Sequence, residues 1–125
     1  MSGKNKKQFG VWLDSNHATV VGKELVDSGD FVILGEANNV GQGSNSNENT
    51  GNNAEQMLQQ KFFKEITTHL QNAEEVHVTG TGITQEQFIN YIAETAQFKN
   101  TVANESTSQK MSDDKLIEYI AQKFN

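Results

Sequence analysis

Short turns between β-rich segments are the feature that most constrains how this chain can fold. Three segments near the start are rich in β-branched and aromatic residues, at 8–13, 17–26 and 31–35. Turn-forming residues, Asp14-Ser15-Asn16 and then residues 27–30, separate these segments. Parallel neighbours need a crossover of about a dozen residues, so connections this short predict an antiparallel three-stranded meander. Alternation places Phe9, Val11 and Leu13 on one face of the first strand.

The second half of the chain alternates helical and extended patterns. Residues 54–73 carry large apolar side chains at a spacing of four, which predicts a helix with one buried stripe formed by Leu58, Phe62, Ile66 and Leu70. Residues 75–79 predict a central strand. Residues 85–98 predict a second helix, with Thr84 and Gln87 forming a capping box. A strand around Val102 at 100–104 and a helix capped by Ser112 follow.

The resulting order is βββαβαβα, a meander followed by two right-handed crossovers. This order is typical of the α/β ribonuclease H-like architecture, a mixed five-stranded sheet with helices on both faces. We therefore expect residues 8–125 to form a single domain.

Composition narrows the class of protein further. The 125 residues include no Pro and no Cys, which excludes disulfide scaffolds and thiolate metal sites. No apolar run approaches the roughly 20 residues of a membrane span, and the start does not resemble a secretory signal. We expect a cytoplasmic protein without membrane contact.

The charges are unevenly placed along the chain. The formal net charge is −6 and every basic residue is lysine, which argues against DNA sequence readout, since arginine makes the common bidentate contacts to bases. Lys4, Lys6 and Lys7 nevertheless lie together without an acid among them. Residues 1–7 therefore read either as a flexible basic arm that contacts a partner or as a solvated terminus without function.

Residues 37–53 have a different composition from the rest of the chain. Seven Asn, three Gly and two Ser stand among these seventeen residues, with Val40 the single large apolar side chain. Such a stretch buries too little to offset its ordering entropy, so we expect a mobile loop. It is either a functional loop or a tolerated insertion.

Several segments, in order, resemble one known family. Residues 9–14 and 18–22, the helix containing Phe62-Phe63, residues 75–82 and residues 110–116 resemble the middle domain of eukaryotic and archaeal class-1 peptide-release factors and of the rescue factor Pelota. Bacterial stand-alone relatives of that domain also exist. The resemblance covers about residues 8–124, and it implies the ribonuclease H-like fold and a role with the translation machinery.

The resemblance also directs attention to the Asn-rich loop. In release factors the corresponding loop carries Gly-Gly-Gln and enters the ribosomal peptidyl-transferase centre, where the glutamine helps to place the hydrolytic water. This chain has Gly41-Gln42-Gly43 near that place, after Val40. Because the order of these residues differs, we expect a binding loop without peptidyl-tRNA hydrolysis.

A glycine-rich turn precedes the second predicted helix. Gly80-Thr81-Gly82 could receive an anion through its backbone amides and the helix dipole, or it could be a tight strand-to-helix turn. The full dinucleotide or Walker spacing is absent.

Metal-dependent chemistry has weak support in the sequence. A nuclease of this fold holds Mg²⁺ with carboxylates on the strands and the first helix. Here Val11-Trp12 and Gly80-Thr81-Gly82 occupy such places, and Asp14, Glu24 and Glu36 fall at predicted strand ends and turns. The histidines have no metal-binding spacing; they are His17, His69 and His77. We expect no metal and no cofactor.

Three functional hypotheses follow. The first is a non-enzymatic module that binds the ribosome, tRNA or a translation factor through Lys4, Lys6, Lys7 and the 37–53 loop. The second is a protein-interaction domain with no RNA role, which the net charge favours. The third is a small hydrolase or nuclease that uses Asp14 and Glu36.

Overall fold

The computed structural model describes residues 7–23, 31–39, 51–70 and 73–124, and for 51–56 it describes the backbone alone. The strands are β1 (Gln8–Leu13), β2 (His17–Lys23), β3 (Phe31–Asn38), β4 (Glu75–Gly80) and β5 (Val102–Thr107). The helices are α1 (Gly51–Thr67), α2 (Ile83–Ala93) and α3 (Asp113–Phe124), and a short 3₁₀ turn at Ala96–Phe98 precedes β5. The order βββαβαβα is as predicted.

The described strands form one mixed sheet in the order β3-β2-β1-β4-β5. β1 pairs antiparallel with β2, and β2 pairs antiparallel with β3, which confirms the meander. β4 runs parallel to β1, and β5 runs parallel to β4. The two crossovers supply these parallel pairings, so the predicted ribonuclease H-like architecture is confirmed.

Helices cover both faces of the sheet. α1 and α2 pack on the face that carries Phe9, Val11 and Leu13, where Phe62, Phe63 and Phe88 form the centre of the larger core. α3 packs on the opposite face over a smaller cluster that consists of Trp12, Val21, Phe31, Leu116 and Ile120. Both aromatic rings of β1 are therefore buried, one on each side of the sheet.

Regular structure extends into both ends of the segment predicted as the Asn-rich loop. Ala37 is buried and pairs with Ala18, so β3 continues to Asn38 although its sequence suggested an end at Gly35. α1 begins at Gly51. Pairing with β2 stabilises residues that composition alone assigned to a loop. Residues 40–50 lie outside the described part of the chain, and the loop prediction stands untested there.

The helix ends also differ from the predictions. α1 ends at Thr67, earlier than the predicted 73, where the Thr67 and Thr68 hydroxyls donate to the Lys64 and Glu65 carbonyl oxygens at 2.7 and 2.6 Å. Threonine hydroxyls that bond back in this way compete with the helical hydrogen bonds. α2 likewise ends at Ala93 instead of 98.

The observed limits of β5 differ from the predicted ones because pairing with a neighbouring strand determines where a strand ends. β5 extends from Val102 to Thr107, beyond the predicted 100–104, because every residue pairs with β4. β2 is described to Lys23, and the predicted continuation to 26 lies outside the described residues. None of the helices within the described ranges is long and apolar enough to cross a membrane.

Candidate functional site

One edge of the sheet collects the chain segments that the sequence singled out. The parallel strands β1, β4 and β5 end there, and β3 ends at the same edge because Leu13 pairs with Ala18 and Ala18 pairs with Ala37. In open α/β sheets ligands bind at the carboxyl ends of the strands, where the strand order reverses. That point here lies between β1 and β4, so we take this carboxyl edge as the candidate site.

The β1–β2 turn holds the end of β3 in place. Asp14 Oδ1 accepts hydrogen bonds from the backbone N–H groups of Asn16 and His17 at 2.9 and 2.8 Å. The Asn39 backbone N–H donates to the Asn16 carbonyl oxygen at 2.9 Å, and Asn39 Nδ2 donates to the Ser15 carbonyl oxygen at 3.3 Å. The turn therefore anchors the residue from which 40–50 continue.

His17 is held in one orientation beside this turn. Its Nδ1 lies 2.9 Å from Asn38 Oδ1, which can only accept, so Nδ1 carries the proton in the neutral ring. Nε2 then accepts from the Thr19 hydroxyl at 3.2 Å and lies 4.0 Å from Glu36 Oε1. The imidazole side chain is 23% exposed.

The predicted nuclease carboxylates are placed differently. Asp14 uses its carboxylate within the β1–β2 turn, and Glu36 lies exposed on β3 beside His17. Glu24 falls outside the described residues. Within the described ranges no three acidic or histidine side chains are grouped as metal ligands would be.

The glycine turn after β4 is packed against β1. A Cβ at Gly80 would collide with the carbonyl oxygen of Leu13, so only glycine lets the two strand ends approach this closely. Gly82 has a φ of 157°, a conformation that residues with a Cβ rarely adopt. The Gly82 N–H donates to Gln85 Oε1 at 3.0 Å.

This turn corrects the predicted capping box. The structure places the N-cap at Gly82 rather than Thr84, and Gln85 takes the N3 position that Gln87 was predicted to hold. Gly82 has no side chain, so only the Gln85-to-backbone half of the motif exists. The unusual backbone of Gly82 lets the helix begin earlier than the Thr84 pattern indicated.

Gln85 ties the turn to β5. The side chain is only 1% exposed, and its Nε2 donates to the Ser106 carbonyl oxygen at 2.6 Å. Two weaker contacts join it to Glu105 Oε2 at 3.3 Å and Thr107 Oγ1 at 3.2 Å. The Gly82 amide predicted to receive an anion already has an acceptor, so an anion at Gly80-Thr81-Gly82 would have to replace Gln85.

Of the remaining predicted site residues, Lys7 lies within the described part of the chain. Lys4, Lys6, Gly41, Gln42 and Gly43 lie outside the described residues. The backbone of Lys7 is anchored, because its carbonyl oxygen accepts from the N–H groups of Glu74 and Glu75 at 2.9 and 3.2 Å. Lys7 precedes β1, so it lies at the edge opposite the loop, about 20 Å away along a six-residue strand.

A partly buried polar network beneath α3 was not predicted. Ser106 Oγ lies 2.8 Å from His77 Nε2 and 2.7 Å from the Tyr119 hydroxyl, and it donates to Thr79 Oγ1 at 3.0 Å. Thr79 Oγ1 lies 2.7 Å from Ser108 Oγ. When Ser106 gives its one proton to Thr79, His77 Nε2 is the donor to Ser106, and in that arrangement His77 does not act as a base towards Ser106.

The network shifts the pKa of two of its members. Burial, and secondarily the positive charge of Lys123, lower the pKa of His77 below 6.5. Burial alone would raise the pKa of Tyr119, but hydrogen bonds with Ser106 and Thr79, together with Lys123, lower it below 10.0. The Lys123 ammonium lies 5.1 Å from the centre of the Tyr119 ring. Isolated serine and threonine residues in the sequence carry no signal of such a network.

The mixed sheet and its three helices define an α/β domain of ribonuclease H-like type, and comparison with known proteins places it more closely. No protein-family model matches the chain, and no curated protein is similar to it in sequence. Solved structures are similar. An archaeal translation termination factor matches 95% of this chain over 35% of its own length, with a TM-score of 0.62 and 16% identity.

Two Pelota structures give the same result. The Thermoplasma acidophilum Pelota protein matches 95% of this chain over 32% of its length, with a TM-score of 0.59 and 16% identity. Archaeoglobus fulgidus Pelota matches 98% of this chain over 36% of its own length, with a TM-score of 0.54 and 13% identity. The chain thus spans about a third of the proteins it matches. The predicted resemblance is confirmed for the fold, which is shared with part of Pelota and of the termination factor.

Proposed function

We propose that this chain is a non-enzymatic module of the translation machinery that binds the ribosome, a tRNA or a translation factor. The observation that carries the proposal is the fold shared over about 95% of the chain with an archaeal translation termination factor and with Pelota. Since those proteins are about three times longer, only part of their function could belong to this fold.

The geometry of the carboxyl edge supports a contact made by the loop. Asn39 is fixed by Ser15 and Asn16, and α1 begins at Gly51, so the two ends of the 40–50 segment are attached to ordered elements. Gly41-Gln42-Gly43 belongs to this segment. Lys7, the described residue of the predicted basic arm, lies at the opposite edge, before β1. A single partner that contacted both the loop and Lys7 would have to span about 20 Å, which is a short distance compared with the size of a ribosome or a tRNA.

Co-sedimentation with ribosomes from the source organism tests the proposal. The full chain is compared, at low and near-physiological salt, with a variant that lacks residues 41–49. We expect the full chain to remain bound at near-physiological salt and the variant to be lost from the pellet. Failure of the full chain to sediment at either salt concentration would reject the proposal.

A matched control separates loss of a contact from loss of the fold. Residues 25–29 stand in the sequence between β2 and β3, and the strand ends Lys23 and Phe31 pair at the opposite edge of the sheet. Replacing these five residues with a Gly/Ser segment changes another connection between elements without altering residues 41–49. We expect this control to sediment like the full chain, with both variants unfolding at a similar urea concentration.

A further inference from the structure

β5 leaves one side of its backbone open. The Val102 N–H donates to the Glu74 carbonyl oxygen at 3.0 Å, and the Ser108 N–H donates to that of Gly80 at 2.8 Å. In a parallel ladder alternate residues bond to the neighbouring strand, so the backbone groups of Ala103, Glu105 and Thr107 point away from β4. β5 is the last strand in the sheet formed by the described residues. Such an edge is a template for an added strand.

An apolar groove of about 210 Å³ runs beside this open edge. It lies between α2, the 3₁₀ turn and β5, and its walls are Ile89, Ile92, Ala93, Phe98, Thr101 and Ala103. Ala103 belongs both to the groove and to the open side of β5. An extended segment paired with β5 would therefore place alternate side chains over the groove.

The charges on the elements around the groove are mainly acidic. Glu86 lies on α2, Glu94 directly follows that helix and Glu105 lies on β5; these three exposed glutamates are called the acidic rim. Lys99, after the 3₁₀ turn, is the one described base on these elements. A second copy would bring the same acidic rim against itself, whereas a basic segment would be attracted.

We propose that the β5 edge and the adjoining groove bind an extended, lysine- or arginine-rich segment of a partner protein by strand addition. Backbone hydrogen bonds to Ala103, Glu105 and Thr107 supply the pairing, and a small apolar side chain enters the groove. Successive side chains of a strand point to opposite faces, so the basic residues that face Glu86, Glu94 and Glu105 stand two residues away from the apolar residue in the groove, on the same face of the added strand. This surface requires neither the 40–50 segment nor the basic arm, so it stands independently of the proposed translation role.

Titration of the isotope-labelled full chain with a defined peptide tests this proposal by NMR. The probe is a ten-residue peptide with threonine at its odd positions and lysine, valine, lysine, valine and lysine at its even positions, so that the lysines and valines share one face. We expect amide shifts concentrated at Ala103, Glu105, Thr107 and the groove residues of α2. A peptide with glutamate in place of lysine should not bind. A lysine peptide N-methylated at alternate residues keeps its charge but loses backbone donors, and it should also fail to bind.

Variants separate the acidic rim from general electrostatics. We expect Glu94→Lys with Glu105→Lys to weaken binding about fivefold, from two exposed charge contacts. The control, Asp114→Lys with Glu118→Lys, makes the same change in net charge on α3, across the sheet, and should bind like the unaltered chain. Ala93→Phe fills the groove and should weaken binding without reversing any charge.

Three results would overturn the proposal. Shifts centred on α3 or α1 would place the peptide elsewhere. If the Glu94/Glu105 and the Asp114/Glu118 double substitutions weakened peptide binding equally, binding would depend on net charge alone. Shifts of the β5 amides that grow with protein concentration, without peptide, would make the occupant a second copy of this chain.

Discussion

Gly80 shows how a single missing side chain lets two parallel strands meet at the candidate site. The carbonyl oxygen of Leu13 occupies the space that a Cβ at residue 80 would need. Backbone atoms of a central strand cannot move aside as the end of a flexible side chain can. The close approach of β1 and β4 therefore depends on glycine at this position.

We predict that Gly80→Ala lowers the free energy of unfolding by about 3 kcal/mol, the upper range for overpacking a well-packed interior. Urea unfolding followed by circular dichroism measures this change. Thr81→Ala is the control, because Thr81 is exposed in the same turn, and it should change stability by less than about 0.5 kcal/mol. Equal stabilities for the two variants would show that β1 and β4 separate easily.

His77 makes a second prediction at the scale of one residue. Its pKa in the folded protein is lowered below 6.5, so the unfolded chain binds more protons just below that pH. The contribution of His77 to stability is therefore complete above about pH 6.5 and is lost as the pH falls through the lowered pKa. Urea unfolding at a series of pH values checks this behaviour.

His77→Gln is the informative variant, because the amide can still donate to Ser106 without titrating. We expect a flatter dependence of unfolding free energy on pH below 6.5 in this variant. Lys123→Gln should move the pKa of His77 only part of the way back towards 6.5, since burial is the larger cause. An unchanged pH profile in His77→Gln would contradict the assignment.

Among the elements, α3 depends on a small recess in the sheet. Gly10 faces α3, and a Cβ there would collide with the side chain of Ile120, which is fully buried. Leu116, one helical turn earlier, is buried in the same cluster. Gly10 and Ile120 are thus complementary in shape, and together they set how closely α3 approaches β1.

A double-mutant cycle tests this complementarity. Ile120→Ala should cost about 3 kcal/mol of stability, as removal of a buried isoleucine usually does. Gly10→Ala should cost about 2 kcal/mol in the natural background but much less beside Ile120→Ala, where the recess is empty. We expect a coupling of at least 1 kcal/mol from urea unfolding of the four proteins. Additive effects would mean that the helix shifts freely over β1.

The limits of the elements show what the sequence could and could not predict. Periodicity and turn residues predicted the order of the elements and the faces of β1, because these depend on local pattern. The ends of β3 and β5 depend on partners distant in the chain: Ala37 pairs with Ala18, and Ser106 pairs with Thr79. The start of α2 directly after its N-cap Gly82 depends on a backbone conformation that the Thr84 pattern did not indicate.

At the scale of the whole molecule, the predicted contacts divide between two edges of the sheet. The glycine turn and the ends of the loop lie at the carboxyl edge, because they follow β4 and β3, which both run in the same direction as β1. Lys7 lies at the other edge, which followed from the position of the arm before β1. Gln85 and Ser106 could not be predicted as site residues, because their partners become neighbours only when β5 pairs with β4.

This separation leads to a prediction about salt. If the arm contacts RNA phosphates, each lysine releases counterions, and binding weakens with added salt. Replacing Lys4, Lys6 and Lys7 with Gln should reduce the slope of log affinity against log salt by about 2, with weaker binding at low salt. Ribosome co-sedimentation over a range of salt concentrations measures this slope.

The control keeps the total charge equal and moves its position. Lys64, Lys99 and Lys115 are exposed on other parts of the domain, and their replacement with Gln removes the same three charges. If both triple variants lose the same slope, the ribosome is attracted by total charge and the arm has no specific contact. If only the arm variant changes the slope, the arm makes a specific contact that adds affinity. If the variant lacking 41–49 also fails to bind at every salt concentration, the loop determines binding.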